Sequence, residues 1–309
     1  MRKPVSESIA YVEHPSDVLA HATGLIAQDR GFALITSVAI EGGAAREVGS
    51  LALVEDTGAM VGYLSNGCID KDIQFHAAEA LQSGTKRVVR YGNGSQFLDL
   101  KLPCGGALEV LIDPAPDTEA LTAAHETLVA RHPATLRFDW PEGAISFTYT
   151  PKMRLVLAGR GAVFRATAEV GKSAGFQIFL LSPDEDDIAA TTALCEQPPV
   201  HLTSLGLGVP LAELDEHSAF LTLFHDHDWE PELLRAAVQT PTSFIGCLGS
   251  QRTHAARLDR LATLGVSATD LARVRGPIGL VPSLREAPLI ALSAIAEVVS
   301  ALPTGIRGV

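Results

Sequence analysis

The stretch Met153-Arg154-Leu155-Val156-Leu157-Ala158-Gly159-Arg160-Gly161-Ala162-Val163-Phe164 decides the fold of the chain's second half. Residues 154–158 read as a strand, Gly159-Arg160-Gly161 as a sharp turn, and residues 163–174 as a helix that Gly175 ends. Residues 176–182 then read as a second strand. Further apolar runs at 219–224 and 243–248 alternate with helical segments near 230–238 and 252–264, and a last helix opens at Pro288 and runs through Val299. Strand and helix alternating in this way predict a Rossmann-like, doubly wound parallel sheet over residues 151–309.

The turn occupies the place where backbone amides and a helix dipole hold a pyrophosphate in dinucleotide-binding folds, which makes Gly159 and Gly161 candidate ligand contacts. The full fingerprint is incomplete. Phe164 replaces the third glycine and is expected to hold the helix away from the strand. Ser182 stands where an acid would grip a ribose, with Asp184 two residues late. Conventional NAD(P) use is disfavoured, and a turn needed only for packing is the other reading.

Residues 1–150 read differently. Ser16 and Asp17 can cap a helix bearing Val18, Ala22, Leu25 and Ile26; a β-rich run covers 32–40; 51–55 and 60–65 form a hairpin about Asp56-Thr57-Gly58. Cys68 precedes an amphipathic helix through Ile73, Ala77 and Leu81 that Gly84 ends. Strands at 87–91, 98–102 and 108–112 complete an α+β domain, and residues 119–150 form a helix and two short strands that pack on it. The fold class is therefore α/β, with an α+β domain ahead of a Rossmann-like one.

Two of the four cysteines have an unusual setting. Ser65-Asn66-Gly67-Cys68 and Leu102-Pro103-Cys104-Gly105-Gly106 put sulfur beside glycine, whereas structural cysteines usually sit among bulky apolar neighbours. Cys68 at a helix start gains thiolate character from the helix dipole, an effect that Asp70 opposes. Gly67, Gly105 and Gly106 offer amides to an anion. Cys195 and Cys247 lack such surroundings.

Composition narrows the function. A net charge of -12 without a basic run disfavours nucleic acid and anionic membranes as partners. The uneven cysteines and the lack of a signal-like leader point to free thiols in a reducing, cytoplasmic setting. His225-Asp226-His227-Asp228 follows an apolar strand; if that strand continues, His225 and His227 share a face as metal ligands. Ser250 is either a helix cap or part of an anion cradle.

Taken in order, several motifs resemble the XdhC/CoxI family of molybdenum-cofactor chaperones. They are Gly42-Gly43-Ala44-Ala45-Arg46, Gly62-Tyr63-Leu64-Ser65-Asn66-Gly67-Cys68, Leu102-Pro103-Cys104-Gly105-Gly106, Gly159-Arg160-Gly161, and Gly246-Cys247-Leu248-Gly249-Ser250-Gln251-Arg252-Thr253. The resemblance implies a chaperone without turnover chemistry that binds molybdopterin and inserts it into a xanthine dehydrogenase-type enzyme, with a cysteine desulfurase as a further partner. Cys68 and Cys104 would face the molybdenum, and Arg46 would hold the cofactor phosphate. A homodimer is expected. The alternatives are an NAD(P)-dependent oxidoreductase using Cys104 or His225, and a nucleotide-sensing regulator.

Overall fold

The computed structural model describes residues 8–95, 105–141, 143–205, 211, 214–302 and 307–308. Two compact units are present, Met1–Pro151 with Thr304–Val309, and Lys152–Pro303.

The first unit opens with β1 (Ile9–Ala10), α1 (Pro15–Ala27), β2 (Phe32–Glu41), β3 (Leu51–Glu55) and β4 (Met60–Gly62). It continues with α2 (Asp70–Ser83), β5 (Arg87–Gly92), β6 (Ala107–Asp113), α3 (Thr118–Val129), β7 (Ala134–Trp140) and β8 (Gly143–Tyr149). Its main sheet has six strands in the order β1-β4-β3-β2-β6-β5, antiparallel except for the β1–β4 pair. The near-continuous apolar run of β2 reflects a strand buried on both faces. Phe32, Leu34 and Val38 pack with α1, α3, β7 and β8, while Ala33 and Ile35 pack with Ile73 and Ala77 of α2. A bulge between Ser37 and Ala39 then resets the alternation, so that Ile40 faces the α2 side although Val38 does not. Gly84 closes α2 in the left-handed conformation, φ 66°. The cap of α1 is His14 and not Ser16 or Asp17: its Nδ1 accepts the Ser16 amide at 3.2 Å, and Pro15 takes the first helical position. The strand expected at 98–102 lies outside the described residues.

The second unit contains β9 (Arg154–Gly159), α4 (Ala162–Ser173), β10 (Gln177–Ser182), α5 (Glu185–Thr191), β11 (Val200–His201), β12 (Ser218–Leu223) and α6 (Glu230–Ala237). Then come β13 (Phe244–Cys247), α7 (Gln251–Thr263), α8 (Ala268–Leu271), β14 (Val274–Arg275) and α9 (Ala287–Ala301). All six strands run parallel in the order β11-β10-β9-β12-β13-β14, which reverses direction at β9. This is the Rossmann arrangement.

Phe164 does not hold α4 away. Its ring is fully buried in the core with Leu155, Phe176 and Ile295, and the close approach is made two turns later by Gly171. A Cβ there would sit 2.5 Å from Leu155 Cδ2 and 3.1 Å from Ile178 Cδ1. Arg307–Gly308 forms β15, which extends the β7–β8 hairpin of the first unit. The last described strand thus belongs with the first unit and not with the second domain that the sequence predicts over 151–309; a two-residue edge strand has no periodicity to betray it. Among the described residues no helix is long and apolar enough to cross a membrane.

Candidate functional site

Sheet register brings the first unit's motifs to one rim. β2 ends at Glu41 opposite Ala107, where β6 begins; β5 ends at Gly92 opposite the same residue; β4 ends at Gly62 opposite Ala52. The segments that follow Glu41, Gly62 and Gly92 therefore leave the sheet at the same end. They carry Arg46, Cys68 and the Gly105-Gly106 pair. Cys104 itself lies outside the described residues.

The rim is close-packed at its glycines. A Cβ on Gly106 would sit 2.7 Å from the Gly43 carbonyl oxygen, and one on Gly42 would sit 3.3 Å from Gly106 Cα. Only glycine lets these two backbones touch. Gly105, by contrast, has φ 70° and open space at its Cβ position. The far end of the Gly42–Ser50 loop is pinned from within: Ser37 Oγ donates to Glu47 O at 2.8 Å, and the Tyr149 hydroxyl donates to Gly49 O at 2.9 Å.

Asp70 organises the cysteine loop. Its carboxylate is fully buried and accepts the amides of Leu64 at 2.9 Å, Ser65 at 3.1 Å and Gly67 at 2.6 Å, and the Ser65 hydroxyl at 2.9 Å. The Ser65 hydroxyl also accepts the Ile69 amide at 2.9 Å. The Gly67 amide is thus spent on Asp70 and does not face a ligand, which corrects its role as an anion contact. Cys68 stands exposed just outside this closed loop. The sequence signal for this role is an acid in the first turn after a glycine-bearing loop, which the helix-dipole argument alone takes for a local charge.

Arg46 is also differently engaged than expected. Its Nη1 donates to the Glu13 carboxylate, Nη2 donates to Glu13 O at 2.6 Å, and its guanidinium lies 4.8 Å from the Tyr63 ring centroid. Nε remains buried with no hydrogen-bond partner among the described residues. Tyr63 donates its hydroxyl to Glu13, which holds the phenol above its ordinary pKa. The fork that was to meet a phosphate is therefore held by an internal, exposed carboxylate.

The remaining cysteines are chemically quiet. Burial pushes the Cys195 thiol up to about 11 and Cys247 up to about 12. Of the three cysteines described, only Cys68 should react with a maleimide at pH 8 in the folded protein; Cys195 and Cys247 should label only after unfolding, as peptide mass mapping would reveal.

In the second unit, side chains occupy the glycine turn. The Gly161 amide donates to Asp187 Oδ2 at 2.6 Å, and Arg165 pairs with the other Asp187 oxygen. Arg160 reaches Asp226 across the β9–β12 crevice at 3.0 Å. Gly159 is required for packing, since a Cβ there would lie 2.7 Å from Leu223 O. Asp184 caps α5, and Ser182 is fully buried. The premise of a shared histidine face fails because β12 ends at Leu223 and residues 225–228 form a turn. His225 is exposed there, while His227 Nδ1 bonds Glu230 at 3.1 Å. Among the described residues no group of three or more His, Cys, Asp or Glu side chains is arranged to hold a metal ion. Ser250 caps α7, accepting the Thr253 amide at 3.1 Å.

Sequence reading missed the buried pair behind this turn. Glu230 accepts from Arg257 Nε at 2.9 Å and Nη2 at 3.1 Å, and from Thr222 at 3.1 Å. Both partners are almost wholly buried, so α6, α7 and β12 are tied together by one carboxylate.

Comparison with known proteins gives a consistent result. Residues 155–298 match the XdhC Rossmann domain, and residues 25–92 match the XdhC and CoxI family. The molybdenum cofactor insertion chaperone PaoD of Escherichia coli K12 is 31% identical, over 92% of this chain and 87% of its own length. The uncharacterized protein YqeB of the same organism is 23% identical, over 91% of this chain but only 46% of its own. A crystal structure of a xanthine dehydrogenase from Bacillus halodurans has the same fold, with a TM-score of 0.73 at 19% identity over 92% of this chain and 95% of that one. The chain belongs to the XdhC and CoxI family.

Proposed function

We propose that this protein is a molybdenum-cofactor chaperone that binds molybdopterin at the rim of its first unit and inserts it into a xanthine dehydrogenase-type molybdenum hydroxylase. The observation that carries the reading is the convergence of the Arg46, Cys68 and Gly105-Gly106 segments at one end of the sheet. The similarity to PaoD over most of both chains supports it.

The residues present suit such a group. An exposed thiol is a soft donor, and an arginine whose buried Nε has no partner among the described residues, beside an exchangeable carboxylate, suits a phosphate. When bound, the cofactor supplies the molybdenum, its dithiolene and the terminal phosphate. Cys68 and Cys104 would stand at the metal end and Arg46 at the phosphate end. Asp70 positions: it keeps the Cys68 loop closed, so that the thiol is presented on a rigid support. Protein purified anaerobically from a molybdenum-replete host should carry a pterin and molybdenum in comparable amounts by mass spectrometry. A nucleotide without a pterin would instead favour the sensor reading.

The second unit does not support the oxidoreductase reading. With Asp187 on the Gly161 amide and Asp184 engaged in capping α5, NAD and NADP should bind more weakly than about 100 μM. Low-micromolar affinity by calorimetry would overturn this.

A further inference from the structure

The second unit has a cavity away from the crevice that its own side chains fill. It lies between α6 and α7, with a volume of about 320 Å³, at the lower end of the roughly 300–1,000 Å³ range of small-molecule sites. Its wall is amphipathic. Pro231, Ala256 and Leu261 supply the apolar part, and Arg252, Arg257, Arg260 and His227 supply donors.

The charges are unevenly matched. Glu230 is the one carboxylate in the wall, and Arg257 satisfies it with two hydrogen bonds while its Nη2 also donates to Leu248 O at 2.8 Å. Among the described residues Arg260 makes only a 3.3 Å contact with Asp228, and both side chains are more than half exposed, so that pair is weak. Arg252 makes no hydrogen bond or ion pair among the described residues. The cavity is therefore a local excess of positive charge in a chain of net charge -12.

Helical spacing fixes how these cations act. Arg252, Ala256 and Arg260 recur every four residues and so share one face of α7, with the small Ala256 between two long arms. Guanidinium groups reaching inward from either side can meet over it. Two such forks offer more donors than a single carboxylate takes up, whereas a phosphate monoester presents three terminal oxygens. The apolar wall would cover the body of the ligand.

We infer that the α6–α7 cavity binds a small organic phosphate of nucleoside-monophosphate size, gripped by Arg252 and Arg260 over Ala256. The site is built within the second unit and uses no residue of the sulfur-bearing rim.

Calorimetry on the full chain with AMP, GMP, CMP and UMP tests this, with the parent nucleosides and inorganic phosphate as reference arms. At least one monophosphate should bind, and at least tenfold more tightly than its nucleoside or phosphate alone. The double variant Arg252→Glu/Arg260→Glu should weaken binding at least tenfold, and Ala256→Trp should do so by filling the cavity. These positions lie on an exposed helix face, so the melting temperature should hold. Arg160→Ala, in the crevice, should leave binding unchanged. Absence of binding by every monophosphate at millimolar concentration would overturn the assignment. So would equal binding of inorganic phosphate, unchanged affinity in both cavity variants, or loss of affinity in Arg160→Ala.

Discussion

Asp70→Ala should lower the stability of the first unit by about 3–5 kcal/mol, because it strands two buried amides, the half-buried amide of Gly67 and a buried hydroxyl in one step. Few single truncations of so small a side chain cost as much. Asp70→Asn keeps the volume and one acceptor oxygen but turns an NH₂ group toward donors, and should cost about 2 kcal/mol. Chemical denaturation of both variants measures this. If Asp70 served only as a surface charge near the helix start, Asp70→Ala would cost less than about 1 kcal/mol. The change should also reach the site. With the loop over residues 64–67 released, Cys68 loses its support while remaining exposed.

Arg257→Met should have a comparable effect on the second unit. It leaves Glu230 in the interior, with only Thr222 and a half-exposed His227 to bond it. Breaking one side of a buried pair in this way costs about 3–5 kcal/mol. Adding Glu230→Gln should restore part of the loss, because no uncompensated charge then remains. An additive double variant, with no recovery, would mean that the pair does not act as a unit.

Much of this architecture can be read from local pattern. The β9–turn–α4–β10 succession, the β3–β4 hairpin and the Gly84 cap rest on periodicity and on residues whose backbone preferences are strong, and these survive in the structure. What escapes the sequence is pairing between distant elements. Asp187 takes the Gly161 amide from 26 residues away, and Arg257 finds Glu230 at a separation of 27. Nothing in the neighbourhood of either acid marks its partner. Edge strands are lost for a different reason: β11, β14 and β15 are two residues long, too short for any alternation to register. The Phe164 reading failed because a missing glycine at one helical position was made good by another, Gly171, two turns on.

The same distinction applies at the rim. Glycine-flanked cysteines are visible in the sequence because their neighbours are unusual. That Arg46 shares a cluster with Glu13 and Tyr63 follows only from the sheet, which sets the chain after β1 beside the chain after β4. Glu13 would then be the internal anion that Arg46 gives up when a phosphate arrives.

The central claim is that sulfur at this rim holds the molybdenum cofactor, and molybdenum bound per polypeptide tests it most directly. Cys68→Ala, Cys104→Ala and Cys195→Ala should be loaded side by side under anaerobic conditions, with melting temperatures checked against the parent. Cys104→Ala is expected to lose at least tenfold of the bound metal, Cys68→Ala to lose less, and Cys195→Ala to match the parent. Retention by Cys104→Ala and Cys68→Ala equal to that of Cys195→Ala would contradict the claim.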